Sequence, residues 1–227
     1  MEKTFSPDAI GERLQEIQQI IPAGIQLVAI SKFQPVEKIK AAYESGQRLF
    51  GESRVQELLD KIPRLPDDIS WHFIGHLQTN KVKMLVGKVT LIESVDSEKL
   101  LDIIDRESEK AGVASRVLLQ VHVAAEETKF GFAPEELLEY FRKKRYEALR
   151  RTHICGLMAM ATNTDDIDVV RKDFARVASH FREIKEEISP ELRGFDIISM
   201  GMSGDWPIAI EEGATMIRIG TAIFGAR

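Results

Sequence analysis

Short apolar runs alternate with helical patterns along the 227 residues, and this alternation constrains the fold more than any other feature of the sequence. Eight of the runs are bounded by Gly, Pro or polar residues and are short enough to be buried strands. The predicted strands cover residues 27–32, 48–51, 70–75, 89–92, 117–121, 153–157, 195–198 and 215–219. Eight strand–helix units without a long linker predict an α/β fold, a closed (β/α)8 TIM barrel, with an open doubly wound sheet as the alternative.

Helical patterns separate the predicted strands. The clearest pattern lies between the sixth and seventh strands, where apolar residues recur at spacings of four and three over residues 170–188. The pattern that begins at Pro134 is predicted to continue as one helix to about Ala148. A shorter helix is predicted over residues 207–212, where Gly213 ends it.

The amino-terminal segment precedes the first predicted strand. Ser6 is a suitable N-cap, since its hydroxyl can accept a hydrogen bond from a helical N–H, and a proline follows it in the first turn. Residues 1–24 are therefore predicted to form a helix that packs on the barrel. No segment has the composition of a linker, so residues 1–227 are predicted to form one domain.

The composition argues against several classes of protein. The net charge is −5 and the pI about 5.7, whereas a nucleic-acid-binding protein is expected to have a basic face. The amino terminus lacks the apolar core of a signal peptide, and no apolar run is long enough to cross a membrane. The single cysteine, Cys155, cannot form an intramolecular disulfide and is predicted to be a core residue. A cytoplasmic protein is therefore expected.

Lys32 ends the first predicted strand, and this position suggests chemistry. A lysine inside the strand would be costly to bury, but the carboxyl ends of parallel strands open into the ligand-binding mouth of a barrel. A partly desolvated lysine at such a mouth can act as an amine nucleophile. The alternative is that Lys32 only extends its ammonium group from the strand end into solvent.

Two loops near the carboxyl terminus have the composition of a phosphate site. Ser203 and Gly204 follow the seventh predicted strand, and Gly220 and Thr221 follow the eighth. In many barrels the loops after these two strands bind phosphate through backbone N–H groups and hydroxyls. Ordinary turn chemistry is the alternative, since Gly and Ser are common turn residues. Because both loops have this composition, a phosphate site is the favoured interpretation.

Arg218 lies in the otherwise apolar eighth strand, two residues before Gly220. A buried arginine needs an acceptor, which is either a neighbouring carboxylate such as Glu211 or the ligand itself. An amine, a phosphate site and an inward arginine at one barrel mouth suggest a phosphorylated aldehyde as cofactor, and pyridoxal 5′-phosphate fits that description. An arginine cannot accept the proton of the pyridine nitrogen, so the ring would be a weaker electron sink than in most enzymes with this cofactor.

Motifs spread from one end of the chain to the other are similar to those of a single family. They lie at residues 29–32 (AISK), 49–53 (LFGES), 71–81 (WHFIGHLQTNK), 94–96 (SVD), 129–132 (KFGF), 156–160 (GLMAM), 199–205 (SMGMSGD) and 217–227 (IRIGTAIFGAR). In these motifs the chain resembles the YggS/PROSC family of pyridoxal phosphate homeostasis proteins. The resemblance implies a single-domain barrel of the fold-type III kind, like the amino-terminal domain of alanine racemase.

The resemblance also implies a cofactor site. Its predicted members are Lys32, Ser53, Met200, Ser203, Gly204, Arg218, Gly220 and Thr221. Lys32 is implied to carry the cofactor as a Schiff base, the two small-residue loops to hold the phosphate, and Arg218 to lie near the pyridine nitrogen. The chain departs from the family at Ser53 and His122, where Asn is usual, and at His76, where Pro is usual. Two histidines without a clear third ligand are weak grounds for a metal site, so no metal is predicted.

Two functions remain open from the sequence. The resemblance implies a monomeric protein that buffers or delivers pyridoxal phosphate, with cofactor-dependent apo-enzymes as candidate partners and without robust catalysis. The alternative is an amino-acid racemase, which needs a second acid/base group, a tyrosine from a carboxyl-terminal β domain in alanine racemases. No such domain is expected after residue 227, and Tyr43, Tyr140 and Tyr146 are all predicted on helices. The carrier is therefore the favoured hypothesis, and a Schiff-base aldolase is disfavoured by the motifs.

Overall fold

Eight parallel strands pair in chain order and close on themselves, because the first strand also pairs with the last. The structure, a computed structural model, describes residues 7–125 and 130–225. The strands are β1 (Gln26–Ile30), β2 (Leu49–Glu52), β3 (Ser70–Phe73), β4 (Leu91–Val95), β5 (Ser115–Val121), β6 (Thr152–Ala159), β7 (Ile197–Ser199) and β8 (Met216–Ile219). The predicted (β/α)8 barrel is confirmed, and the open sheet is excluded.

Helices follow the strands and cover the outside of the barrel. They are α1 (Pro7–Ile20), α2 (Val36–Glu44), α3 (Val55–Lys61), α4 (Val82–Leu85), α5 (Glu98–Ala111), α6 (Pro134–Arg142), α7 (Ile167–Arg182), α8 (Trp206–Glu211) and α9 (Thr221–Phe224). Short 3₁₀ turns lie at Ile62–Arg64, Thr79–Lys81 and Arg145–Ala148, and a π-helical segment, Glu183–Ile188, continues α7. Because the helices lie outside, the strands are shielded from solvent on both faces.

The apolar core has two parts, one on each side of the sheet. The smaller part consists only of strand residues, including Val28, Ile30 and Leu118, and fills the inside of the barrel. The larger part packs the outward strand residues, such as Ala29 and Phe50, against the helices. Successive strand residues therefore alternate between the two parts, as the two-residue period of a strand requires.

A bulge between β5 and β6 interrupts this alternation. Val117 pairs with Ile154, but Leu118 pairs with Gly156, so β6 contains one extra residue. Cys155 and Met158 both contribute to the inner core, although they are three positions apart in the strand. Gly156 has a φ of 150°, and a side chain there would overlap the carbonyl oxygen of Ile197. The bulge thus places Met158 inside the barrel, and Cys155 is the buried core residue that the sequence predicts.

Helix α1 packs on the outside of the barrel against α2 and α9. Ile10 and Leu14 are buried there, and Arg13 Nε donates to the carbonyl oxygen of Ile223 (2.7 Å). This agrees with the helix predicted within residues 1–24, while its predicted cap, Ser6, lies outside the described residues. The extent of the single domain over residues 1–227 remains a prediction.

Several predicted boundaries are wrong, including that of the first strand, which ends at Ile30 and not at Lys32, and one helix is missing from the prediction. Strand β4 begins at Leu91 and reaches Val95, so the prediction of residues 89–92 misplaces it. Helix α6 ends at Arg142, well short of Ala148, because Lys144 adopts a left-handed φ of 51° that an α-helix cannot include. Helix α9 follows β8 directly and is absent from the prediction. The shift of β4 matters most, because Glu93 becomes a strand residue.

Candidate functional site

A cavity of about 320 Å³ opens at the carboxyl ends of the strands. Its walls are formed by Ile30, Lys32, Gln34, Ile74, Met158, Met160, Met202, Ser203, Gly204, Arg218, Gly220, Thr221 and Gly225. Six of the eight predicted site residues are therefore brought together, from the ends of β1, β7 and β8. The volume is within the range of sites for small molecules.

The other two predicted site residues do not line this cavity. Met200 follows β7 and is fully buried, and its backbone N–H donates to the carbonyl oxygen of Met216 (3.1 Å). Ser53 follows β2 and is half-buried, and its carbonyl oxygen lies where a side chain on Gly75 would be. That Met200 and Ser53 belong to the site remains a prediction.

The sequence prediction omitted most of the apolar wall and Gln34. Gln34 lies two residues after Lys32 and is buried at the cavity wall. Met158 and Met160 come from β6 and the residue after it, and Met202 from the loop after β7. Their position at strand ends is a usable signal in the sequence, but methionine gives no indication of whether it lines a cavity or a core.

Lys32 lies in the tight turn after β1. Gln34 N donates to Ser31 O (3.0 Å) and closes the turn, while Ser31 N donates to Gly51 O (3.0 Å) and ties its start to β2. Phe33 occupies the third position of the turn with a φ of 63°, where Gly or Asn is usual. The half-buried Lys32 side chain lines the cavity, which places it on the wall of the site.

The loops after β7 and β8 meet beside the cavity. Gly220 N donates to the Ser203 hydroxyl (3.4 Å), which joins the two loops. A side chain on Gly220 would lie 3.2 Å from the carbonyl oxygen of Ile30, so glycine lets this loop approach β1 closely. The Ser203 and Thr221 side chains are exposed at the cavity. Hydroxyls from two loops thus lie at one cavity, where they could donate to an anion.

Arg218 projects from β8 into the barrel and is 4% exposed. Its guanidinium donates to the Ser199 hydroxyl (2.7 Å) and to the carbonyl oxygen of Ala159 (2.8 Å), and it lies 3.8 Å from Glu93 Oε2. Glu211, the carboxylate considered as its partner, instead pairs with Arg171 on the outside (2.6 Å). The acceptors of Arg218 are therefore inside the barrel, and it also lines the cavity.

Glu93 is the centre of a buried polar network below the cavity. It is fully buried, and it accepts hydrogen bonds from the Ser199 hydroxyl (2.6 Å) and from His72 Nδ1 (2.6 Å). Burial raises the pKa of Glu93, but the hydrogen bond from His72 and the charge of Arg218 outweigh burial, so its pKa lies below the ordinary value. Glu93 is therefore an anion that neutralises Arg218.

His76, one of the two histidines that depart from the family pattern, contacts residues outside this network. His76 Nδ1 lies 2.9 Å from Asp96 Oδ2, and its ring stacks on Phe130 with centroids 3.8 Å apart. Across residues 7–125 and 130–225, no three His, Cys, Asp or Glu side chains are grouped as metal ligands. The predicted absence of a metal remains a prediction. Lys129, part of one motif, lies outside the described residues.

Comparison with known proteins assigns the family. The sequence model of the alanine racemase N-terminal domain matches residues 5–227. The pyridoxal phosphate homeostasis protein of Aquifex aeolicus is 43% identical over 204 residues, which are 89% of this chain and 87% of that protein. The chain belongs to the family of pyridoxal phosphate homeostasis proteins, within the alanine racemase N-terminal domain group. The family suggested by the motifs is thereby confirmed.

Solved structures of similar proteins agree with this assignment. PipY of Synechococcus elongatus, with pyridoxal phosphate bound, has a TM-score of 0.86 and 36% identity, and the match covers 95% of this chain and all of PipY. Alanine racemase of E. faecalis has a TM-score of 0.73 at 19% identity and is covered over 59% of its length, so it shows a shared fold only. No helix within the described residues is long and apolar enough to cross a membrane.

Proposed function

We propose that this protein of the homeostasis family binds pyridoxal 5′-phosphate covalently through Lys32 and buffers or delivers it, without robust catalysis. The observation that carries the proposal is the convergence of Lys32, the Ser203 and Thr221 hydroxyls and Arg218 on one cavity. An amine, two hydroxyls and a cation around one cavity match the aldehyde, phosphate and ring of this cofactor. PipY, a similar protein with this cofactor bound, supports the assignment.

Lys32 would make the covalent bond. Bound pyridoxal phosphate supplies an aldehyde, which is an electrophile that no amino-acid side chain provides. The Lys32 nitrogen would replace the aldehyde oxygen, which would be lost as water together with two protons from the amine. The turn that contains Phe33 places Lys32 on the cavity wall, and Ser203 and Thr221 would hold the phosphate.

Arg218 supports a carrier rather than an efficient enzyme. Its guanidinium has no acceptor site, so it cannot take the pyridinium proton, and Glu93 beneath it already neutralises its charge. A ring left without that proton withdraws electrons weakly, which disfavours breaking bonds at an amino acid attached to the cofactor. Arg218 would therefore orient the ring and limit its chemistry.

The racemase remains the alternative, and it needs a second acid/base group. All three tyrosines lie in the described part of the chain, and none of them lines the cavity. Tyr43 donates to Asp68 (2.7 Å), Tyr140 is buried, and Tyr146 donates to Glu191 (2.7 Å). These positions support the carrier. Cofactor-dependent apo-enzymes as recipients, a monomeric state and a cytoplasmic location are further parts of the proposal.

The proposal is tested with the purified protein and added pyridoxal phosphate. We expect a near-visible Schiff-base absorbance that borohydride removes, and peptide mapping that places the reduced adduct on Lys32. A racemisation assay of the same sample with alanine should give no turnover above free cofactor. Absence of an adduct overturns the binding proposal, whereas rapid racemisation overturns only the carrier role.

Substitution of the two hydroxyls tests the phosphate site. We expect Ser203→Ala and Thr221→Ala each to weaken the affinity for pyridoxal phosphate by about tenfold or more, since a hydrogen bond to a charged group contributes roughly 1.5–3 kcal/mol. The measurement is an absorbance titration with pyridoxal phosphate and with pyridoxal, which lacks the phosphate. Affinity for pyridoxal should stay unchanged. An equal loss for both ligands would assign the hydroxyls to the fold instead.

A further inference from the structure

A buried ion cluster lies directly behind the turn that carries Lys32, on the outer side of β1 and β2. Its centre is Lys61, at the end of α3, whose side chain is 7% exposed. Lys61 Nζ donates to Glu52 Oε1 (2.7 Å), to Glu57 Oε1 (2.6 Å) and to the carbonyl oxygen of Ser31 (2.9 Å). All three ammonium hydrogens therefore have acceptors, and one acceptor is the residue before Lys32.

The cluster holds the turn on both sides of Lys32. Before it, the Ser31 hydroxyl donates to Glu52 Oε1 (2.6 Å), and the Ser31 carbonyl accepts from Lys61. After it, the Phe33 N–H donates to Glu57 Oε1 (2.5 Å), the same oxygen that accepts from Lys61. The residue before Lys32 is thus bonded directly to the Lys61 ammonium group. The residue after Lys32 is connected to the same ammonium group through Glu57 Oε1.

The turn needs such support because it is strained. Phe33 is a bulky residue with a φ of 63°, and a left-handed conformation of this kind costs about 1–3 kcal/mol. Phe33 is 43% exposed, and the Arg54 guanidinium lies over its ring, 4.6 Å from the ring centroid. The polar contacts to the backbone of the turn are among the interactions that hold this conformation.

Stability alone does not explain the cluster. Burial raises the pKa of Glu52 against the hydrogen bonds from Lys61 and Ser31, and Glu52 Oε2 is buried without a hydrogen-bond partner in the described part of the chain. Buried ion pairs of this kind are often replaceable by apolar residues without loss of stability. The free-energy cost of burying Glu52 in this way is expected where the arrangement serves the geometry of a site.

We infer that Lys61, acting with Glu52 and Glu57, is a positioning residue that presents the Lys32 amine to the aldehyde of the cofactor. The inference rests on the proposed function, because it requires the covalent bond between Lys32 and pyridoxal phosphate. Lys61 is not among the residues that line the cavity. Its effect is confined to the step in which the Lys32 nitrogen attacks the aldehyde carbon, because the phosphate is held by other loops.

The experiment compares two ligands that differ only at the reacting carbon. Pyridoxal phosphate carries an aldehyde, and pyridoxine 5′-phosphate carries an alcohol that cannot react with an amine. We expect Lys61→Met to slow adduct formation with pyridoxal phosphate roughly 10–100-fold, the scale of a catalytic group displaced by about 1 Å. Its affinity for pyridoxine 5′-phosphate should equal that of the wild type, because the Ser203 and Thr221 loops are unchanged.

Two further variants keep the test decisive. Lys110→Met removes an exposed lysine, paired with Glu107 on α5, and should behave as wild type with both ligands. Glu57→Ala removes the acceptor of the Phe33 N–H at a site that is 20% exposed, so this variant should fold even if Lys61→Met does not. It should also slow adduct formation, by a smaller factor, and leave the affinity for pyridoxine 5′-phosphate unchanged.

The outcomes distinguish failure of the positioning role from failure of the proposed function. A slower reaction with unchanged pyridoxine 5′-phosphate affinity supports positioning. Wild-type reaction rates in Lys61→Met and Glu57→Ala, or equal losses for both ligands, overturn it and assign the cluster to folding. If wild-type protein itself forms no adduct, the failure belongs to the proposed function.

Discussion

Lys32→Ala is expected to reduce the borohydride-fixed adduct to background. The substitution removes the amine that lines the cavity, and among the described residues no other side chain on the cavity wall is a primary amine. Lys32 is half-buried in a turn rather than in the core, so the free energy of unfolding should change by no more than about 0.5 kcal/mol. The measurements are peptide mapping after reduction and urea unfolding of the same preparations.

The remaining affinity of Lys32→Ala is also informative. Ser203 and Thr221 are untouched, so the variant should still bind pyridoxal phosphate more tightly than pyridoxal. Lys32→Arg is the matched control, because it keeps a cation at the mouth but replaces the amine with a guanidinium that stays protonated. Both variants should lack the adduct. An adduct that persists at full yield in either variant would show that another lysine is the attachment site.

The barrel was predictable from sequence because its signals are local. Each strand is a short apolar run, and eight such runs that alternate with helical patterns favour a closed barrel, in which strand order follows chain order. Lys32, Ser203 and Thr221 were predictable because they follow strands, and the carboxyl ends of all strands meet at one mouth. Assignment of a residue to a strand end therefore sufficed to place it at the cavity.

Contacts across the barrel were not predictable in the same way. Glu93 comes from β4 and Arg218 from β8, and the sequence offers no local signal that these two side chains meet. The prediction ended the fourth strand at Ile92, one residue before Glu93, so the inward carboxylate was missed. Glu211 was considered because it is near Arg218 in sequence, but it lies on α8 and pairs outward with Arg171.

The second large effect is expected inside the barrel, at Glu93. Glu93→Gln keeps the shape of the side chain and its capacity to bond His72 and Ser199, but it removes the carboxylate that lies 3.8 Å from the buried Arg218 guanidinium. Removing one partner of a buried pair costs about 3–5 kcal/mol. Urea unfolding at neutral pH should show a loss of this size. The control Glu107→Gln breaks pairs with the exposed Lys110 and Arg106, and should cost no more than about 1 kcal/mol.

Removal of both charges should recover most of that loss. In the double variant Glu93→Gln/Arg218→Met no unpaired charge is buried, so its free energy of unfolding should approach that of the wild type. A double variant as unstable as Glu93→Gln alone would show that packing, not charge, sets the cost.

The pH dependence of Glu93→Gln has a defined sign. The pKa of Glu93 is lowered in the folded protein, so its ionisation stabilises the fold above the ordinary value of 4.5 and is lost as the pH falls through the lower folded value. The difference in unfolding free energy between wild type and Glu93→Gln should therefore be constant from neutral pH down to about 4.5 and shrink below it. A difference that grows on acidification would mean that Glu93 is protonated in the native barrel, and Arg218 would then need another counter-charge at the cavity floor.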